Sequence, residues 1–207
     1  MIDDEITVGT ALQRLLCSVG LAVQTFTSAQ EFLHAKLRNV PSCLVLDVRM
    51  PEMNGLEVQQ RLAEAGISLP VIFLTGHADV GMTVKAMKAG AIEFLTKPFH
   101  EQELLDAVRA ALQRQQIELK KMAERAALKS RYDSLTPRES EVFPLVASGL
   151  LNKQIAAELG ASEKTIKVHR AQVMRKMNAG SVADLVRMAD KLRIASRKSD
   201  SSRTKVP

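Results

Sequence analysis

At 207 residues, with 46% hydrophobic and 25% charged side chains, the chain has the make-up of a soluble globular protein with room for one large domain or two modest ones. No apolar run approaches the roughly 20 residues that cross a bilayer, no signal-peptide pattern opens the sequence, and Cys17 and Cys43 have neither metal nor redox spacing, so a cytoplasmic protein with no membrane contact is expected. Charge divides the chain: residues 1–116 hold 10 Lys+Arg against 13 Asp+Glu, residues 117–207 hold 19 against 10, and a polyanion should meet the second half alone.

Val8, Leu12, Leu15, Leu16 and Val19 recur at helical spacing, and Gly20 closes that segment. Residues 22–26 read as a short extended stretch. Ser28 with Glu31 three residues on makes a capping box that opens a second helix. Cys43-Leu44-Val45-Leu46 is the continuous apolar run of a strand buried on both faces, and it ends in Asp47. The pattern returns at Val71-Ile72-Phe73-Leu74 and, more weakly, over residues 91–95. Helical segments lie around 56–64 and 81–89, and another runs from 101 to about 115. This alternation predicts an α/β doubly wound parallel sheet of flavodoxin-like type, with its ligand site beyond the C-terminal ends of the strands.

The polar residues at those ends form a set. Asp3 and Asp4 close the first apolar pair, Asp47 closes the next strand, Thr75 the one after it, and Lys97-Pro98 follows the last. Carboxylate oxygens of this kind suit Mg²⁺. A carboxylate beside Mg²⁺ can attack a phosphoryl group while the metal and a lysine neutralise the transferring oxygens. Taken singly, an Asp at a strand end is ordinarily a turn or cap residue; five such residues in order, at the ends of successive strands, point to phosphoryl chemistry.

Over residues 1–115 the sequence resembles the receiver domains of two-component response regulators. The resemblance rests on Ile2-Asp3-Asp4-Glu5, Leu46-Asp47-Val48-Arg49-Met50-Pro51, Asn54-Gly55, Leu74-Thr75-Gly76-His77 and Phe94-Leu95-Thr96-Lys97-Pro98-Phe99. It implies that Asp47 is the phosphoacceptor and that Asp3, Asp4 and Asp47 hold Mg²⁺ together with the backbone carbonyl of Arg49. It implies further that Thr75 and Lys97 bond the phosphoryl group, that Phe94 is an aromatic switch turning inward as Thr75 moves, and that the Lys97-Pro98 bond is cis. One departure stands out. Receivers carry about five apolar residues before the acid pair, and here only Met1 and Ile2 precede Asp3. The first strand is therefore expected to be largely missing, either because the start lies upstream or because a central strand has been lost. Lower stability and weaker Mg²⁺ binding than in a complete receiver should follow.

Residues 116–134, rich in Gln, Lys, Glu and Ala, read as a helical linker extending the last receiver helix. Thr136-Pro137-Arg138-Glu139 is a complete helix start. A short helix over residues 152–159 follows, then the turn Gly160-Ala161-Ser162, then a basic helix capped by Ser162 and running to about residue 177. Two helices joined by a short glycine-containing turn, the second one basic, describe a helix-turn-helix whose second helix enters the major groove of double-stranded DNA. A plain helical bundle with a solvated basic face is the alternative, and the small Ala156, the glycine turn and the local charge argue against it.

Residues 135–195 are similar to the LuxR/NarL-type DNA-binding domain through Leu135-Thr136-Pro137-Arg138-Glu139, Asn152-Lys153-Gln154-Ile155-Ala156 and Thr165-Ile166-Lys167-Val168-His169-Arg170, and the whole chain resembles the FixJ subgroup of response regulators. That likeness implies groove contacts from Lys167, Val168 and Arg170 and phosphate contacts from Lys153, Lys164, Thr165 and Lys176. It also implies a dimerising helix opened by Ser181. Residues 196–207, rich in Ser, Lys and Arg, read as a disordered tail.

The expected function is a DNA-binding transcriptional regulator, not an enzyme. A sensor histidine kinase is expected to phosphorylate it on Asp47, after which the receiver dimerises or releases the DNA-binding domain and two copies, as a homodimer, bind a roughly palindromic site. Two rivals are a Mg²⁺-dependent phosphatase using Asp47 as nucleophile, and a phosphorylation-independent DNA-binding regulator with a silent receiver.

Overall fold

Alternation along three short parallel strands sends apolar side chains to opposite faces of one sheet, and each face needs its own helical cover. The computed structural model describes residues 1–36, 39–51, 53–76 and 79–194; His77 and the expected tail over 196–207 lie outside them. Strands β1 (Leu44–Asp47), β2 (Val71–Thr75) and β3 (Glu93–Thr96) pair in the order β1-β2-β3, with Leu46 beside Phe73 and Phe73 beside Phe94. Helices α1 (Ile6–Ser18), α2 (Ala29–His34), α3 (Gly55–Glu64) and α4 (Val80–Lys88) precede a long α5 (Glu101–Asp133). Leu44, Leu46 and Phe73 pack with Phe32 of α2, Val58 of α3 and Ala86 of α4. Val45, Ile72 and Leu74 pack on the other side with Leu12 and Leu16 of α1 and Leu104 and Val108 of α5. The sheet is doubly wound.

Ile2 also joins this sheet. Ile2 forms parallel bridges to Leu46 on one side and Phe26 on the other. Its N–H donates to the Val45 carbonyl and its carbonyl accepts from the Asp47 N–H, both at 2.9 Å, while Phe26 N–H donates to the Met1 carbonyl at 2.9 Å. The extended stretch over residues 22–26 thus contracts to a single bridge at Phe26. With both bridges counted, the order is Phe26, Ile2, β1, β2, β3, which is the flavodoxin-like order 2-1-3-4-5. Its reversal point falls between Ile2 and β1, where Asp3 and Asp47 emerge side by side.

The second compact unit begins at Lys121, within α5. It contains α6 (Pro137–Ala147), α7 (Asn152–Leu159), α8 (Glu163–Met177) and α9 (Val182–Leu192). Thr136 and Glu139 form a reciprocal capping box at the start of α6. Val142, Phe143, Ile155, Ile166, Val173, Met177 and Leu185 are fully buried in one core. Gly160 (φ 60°) ends α7 in the left-handed region that glycine tolerates best, and the Ser162 hydroxyl accepts from the Thr165 N–H to start α8. Pro144 sits inside α6, where it can donate nothing to the helix; its carbonyl still accepts from both the N–H and the hydroxyl of Ser148.

A near-buried ion pair ties α8 to α6. Lys176 Nζ donates to Glu139 Oε2 at 2.6 Å and to the Ser134 carbonyl at 3.1 Å. Burial pushes the Glu139 carboxyl up, but the Lys176 hydrogen bond, the Thr136 N–H and the lysine charge together outweigh it and hold the group below its ordinary value of 4.5. The carboxyl is harder to protonate folded than unfolded. Its stabilisation is therefore complete above pH 4.5 and is lost as pH falls through the lower, folded value. Tyr132, the single tyrosine of a chain without tryptophan, packs edge-on against Phe143 at 5.3 Å and reports on this unit alone. Glu139→Gln is expected to lower the urea stability followed by Tyr132 fluorescence by about 2 kcal/mol at pH 7 and to flatten its acid limb. An unchanged acid limb would remove the pair from the account.

Candidate functional site: an acidic rim and a basic helix

The rim at the C-terminal end of the sheet assembles from residues far apart in sequence. Asp47 is the last residue of β1, Asp3 follows the Ile2 bridge, and Lys97 follows β3. Asp3 is 5% and Asp47 6% exposed, whereas Asp4 stands in solvent. Lys97 Nζ reaches both buried acids, at 2.5 Å from Asp47 Oδ2 and 3.1 Å from Asp3 Oδ2. The remaining oxygens are also engaged: Asp47 Oδ1 accepts from the Arg49 N–H and Asp3 Oδ1 from the Glu5 N–H, each at 2.9 Å. These bonds aim the carboxylates without neutralising them. Burial pushes the Lys97 ammonium toward deprotonation, but its hydrogen bonds to Asp47 and Asp3 and their charges win and raise its pKa. The lysine is a fixed cation at neutral pH.

Asp3, Asp4 and Asp47 each offer an oxygen, and the three lie within 4.8 Å of one another. Three carboxylates against one ammonium leave the rim two charges negative, and an all-oxygen donor set of that charge suits a hard divalent cation. Thr75 ends β2 one residue past Leu74, the register partner of Asp47, and is fully buried. Phe94, half buried on β3, meets Phe73 with ring centroids 6.0 Å apart and planes tilted by 44°. The Lys97-Pro98 peptide is cis.

In the second unit, α8 is amphipathic. Ile166, Val173 and Met177 face the core, and Lys164, Thr165, Lys167 and Val168 stand exposed, as does Lys153 on α7. Val168, 56% exposed, is an apolar residue on an otherwise polar face. Two residues expected at DNA have other partners. Lys176 holds Glu139, and Arg170, half buried, donates from Nη1 to the Leu150 carbonyl and to Asn152 Oδ1.

Comparison with known proteins settles the family. Residues 1–109 match the response regulator receiver domain, and residues 133–189 match the luxR family of bacterial regulatory proteins. Nodulation protein W of Bradyrhizobium diazoefficiens is 51% identical over 94% of this chain and 86% of its own length. The chain belongs to the FixJ family of two-component response regulators. Response regulator protein TodT of Pseudomonas putida is 49% identical over 93% of this chain and 85% of its own, and the transcriptional regulatory protein FixJ of Azorhizobium caulinodans 44% identical over 91% and 90%. Among solved structures, response regulator StyR superposes with a TM-score of 0.83 at 46% identity, covering 92% of this chain and 96% of that one.

Membership in this family makes the chain a transcriptional regulator with a LuxR-type DNA-binding domain, not an enzyme, and it implies a sensor kinase and DNA as partners. No helix among the described residues is long and apolar enough to cross a membrane. As a response regulator it carries two features that sequence reading passed over. Gly55 lies against the backbone of Asp47, and the Glu139–Lys176 pair joins residues 37 positions apart. The first was visible only as half of an Asn-Gly motif. The second left no trace, because Glu139 already had an explanation as a capping residue and Lys176 as one more basic residue on a basic helix.

Proposed function

We propose that phosphorylation of Asp47 switches this regulator between weak and strong DNA binding. The observation that carries the reading is Lys97 Nζ lodged between Asp3 and Asp47 at the reversal point of the strand order, with Asp4 alongside. Asp3, Asp4 and Asp47 fit Mg²⁺, with the Arg49 carbonyl as a further ligand; the metal, when bound, supplies charge neutralisation for the transferring phosphoryl oxygens. Asp47 supplies the attacking oxygen. A new O–P bond forms on its carboxylate as the bond from phosphorus to the donor breaks, and the kinase histidine's imidazole (from a phosphohistidine) or acetate (from acetyl phosphate) leaves with the electron pair. Lys97 then exchanges its carboxylate partner for a phosphoryl oxygen, and Thr75 donates its hydroxyl to another. Movement of Thr75 vacates space that Phe94, which already meets Phe73, fills by turning inward.

Receiver, helical linker and DNA-binding domain are assigned to residues 1–115, 116–134 and 135–195, the unbroken α5 supporting the linker. Val80, Val84 and Met87 form an exposed apolar stripe on α4, and Val186 is exposed on α9. These surfaces support a homodimer of the phosphorylated chain. The exposure of Lys153, Lys164 and Thr165 supports phosphate contacts, and that of Lys167 and Val168 supports contacts in the groove. The two unpaired cysteines accord with a reducing cytoplasm. Intact-mass measurement after incubation with Mg²⁺ and acetyl phosphate tests the reading. One phosphoryl group per chain is expected, and none would favour a silent receiver.

A further inference from the structure

The helix before the turn, α7, has only eight residues, so its own hydrogen bonds fix its direction weakly. Two arginines from neighbouring helices hold its ends. Arg170 of α8 grips the entrance, with Nη1 donating to the Leu150 carbonyl at 3.4 Å and to Asn152 Oδ1 at 3.2 Å. Arg138 of α6 grips the exit, with Nη2 donating at 2.6 Å to the carbonyl of Leu159, one of the last-turn carbonyls that have no partner inside a helix. Its other arm pairs with Glu141 at 2.7 Å. Between the clamps, Ile155 and Ala156 are the buried residues of α7. Arg170 stands three positions after the exposed Lys167, yet its guanidinium is half buried and turned back toward α7.

We propose that Arg170 is a positioning residue for DNA recognition: it sets α7 against α8 through Leu150 and Asn152 and does not itself read bases or phosphates. The inference rests on the reading that α8 enters the groove. It separates two kinds of basic residue on one helix, Lys167 acting on DNA and Arg170 acting on the helix that presents Lys167.

The test uses the full chain treated with acetyl phosphate and a duplex that the wild-type chain selects from a random-sequence pool. Affinities are measured across a salt series for Arg170→Ala, Arg170→Lys, Asn152→Ala, the double variant Arg170→Ala with Asn152→Ala, and Lys167→Ala. Arg170→Ala is expected to weaken binding about tenfold while leaving the slope of affinity against salt unchanged, and the double variant should be no weaker than Arg170→Ala alone. Arg170→Lys keeps the charge but not the planar fork, and should recover only part of the loss. Lys167→Ala should weaken binding and relax base preference at the position it contacts, as loss of a groove contact does. A slope that falls with Arg170→Ala, a full recovery with lysine, or losses that add between Arg170 and Asn152 would each overturn the positioning role. Undiminished affinity and unchanged base preference in Lys167→Ala would instead overturn the groove assignment of α8 on which it rests.

Discussion

With asparagine in place of Asp47, the chain is expected to gain no phosphoryl mass from acetyl phosphate, and its affinity for the selected duplex should be the same with the phosphodonor as without it. An amide preserves the shape of the side chain and an oxygen that can still accept from the Arg49 N–H. It has no carboxylate oxygen to form the new O–P bond, and it removes one negative charge from a rim that holds three carboxylates within 4.8 Å. Lys97 keeps Asp3 as a partner at 3.1 Å, so the loss of chemistry does not entail loss of fold. The variant should melt within about 1 kcal/mol of the wild type, since relief of repulsion among the acids offsets the missing ion pair. Cation affinity should fall, because a neutral amide oxygen is a poorer ligand for a hard cation than a carboxylate. Phosphodonor-stimulated DNA binding that survives in Asp47→Asn would defeat the switch and return the receiver to a silent role.

The doubly wound fold was legible because its signals are local. Cys43-Leu44-Val45-Leu46 and Val71-Ile72-Phe73-Leu74 are too apolar to be anything but strands covered on both faces, and Ser28, Thr136 and Ser162 each announce a helix start that the structure contains. Ends were less legible than centres. The expected strand over 91–95 begins two residues before β3 and stops one residue short of its end, because Ala91 and Ile92 carry the apolar signal while the ladder to β2 engages residues 93–96. Residues 22–26 have strand-like composition, yet their one bridge is between Phe26 and Ile2. At the rim, sequence order placed Asp3, Asp47 and Lys97 on one edge, because strand ends in a parallel sheet must converge there. It could not show that a single ammonium bridges the two acids. In the helical unit, the exposed Lys167 and the inward-turned Arg170 look alike in sequence. Which side of α8 each one occupies depends on its rotation against α7, a property of packing that no charge count contains.

Gly55→Ala is expected to damage the receiver more than any other single-methyl addition at its described glycines. Alanine near the start of α3 should by propensity favour the helix by up to about 1 kcal/mol. The surroundings reverse that sign. A Cβ on Gly55 would stand 2.7 Å from the Asp47 carbonyl oxygen, 3.0 Å from Phe73 Cε1 and 3.2 Å from Leu46 Cγ. The nearest of these atoms is backbone of β1, whose neighbours on both sides hold it in the sheet, so it cannot swing aside as a side-chain tip would. Relief requires α3 to lift from the sheet or β1 to bend, and overpacking of this kind costs about 1–3 kcal/mol or more. Either movement displaces Asp47, so phosphoryl uptake should slow along with the loss of stability. Gly9→Ala in α1 is the control: its Cβ would meet only Met1 Cε at 3.8 Å, an ordinary contact, and it should stabilise the same unit by a fraction of a kcal/mol. Thermal melts followed by far-ultraviolet dichroism should therefore shift downward for Gly55→Ala and slightly upward for Gly9→Ala, while the Tyr132 fluorescence transition of the second unit stays in place for both. If the two variants moved together, close approach between α3 and the Asp47 backbone would not be what requires a glycine at position 55.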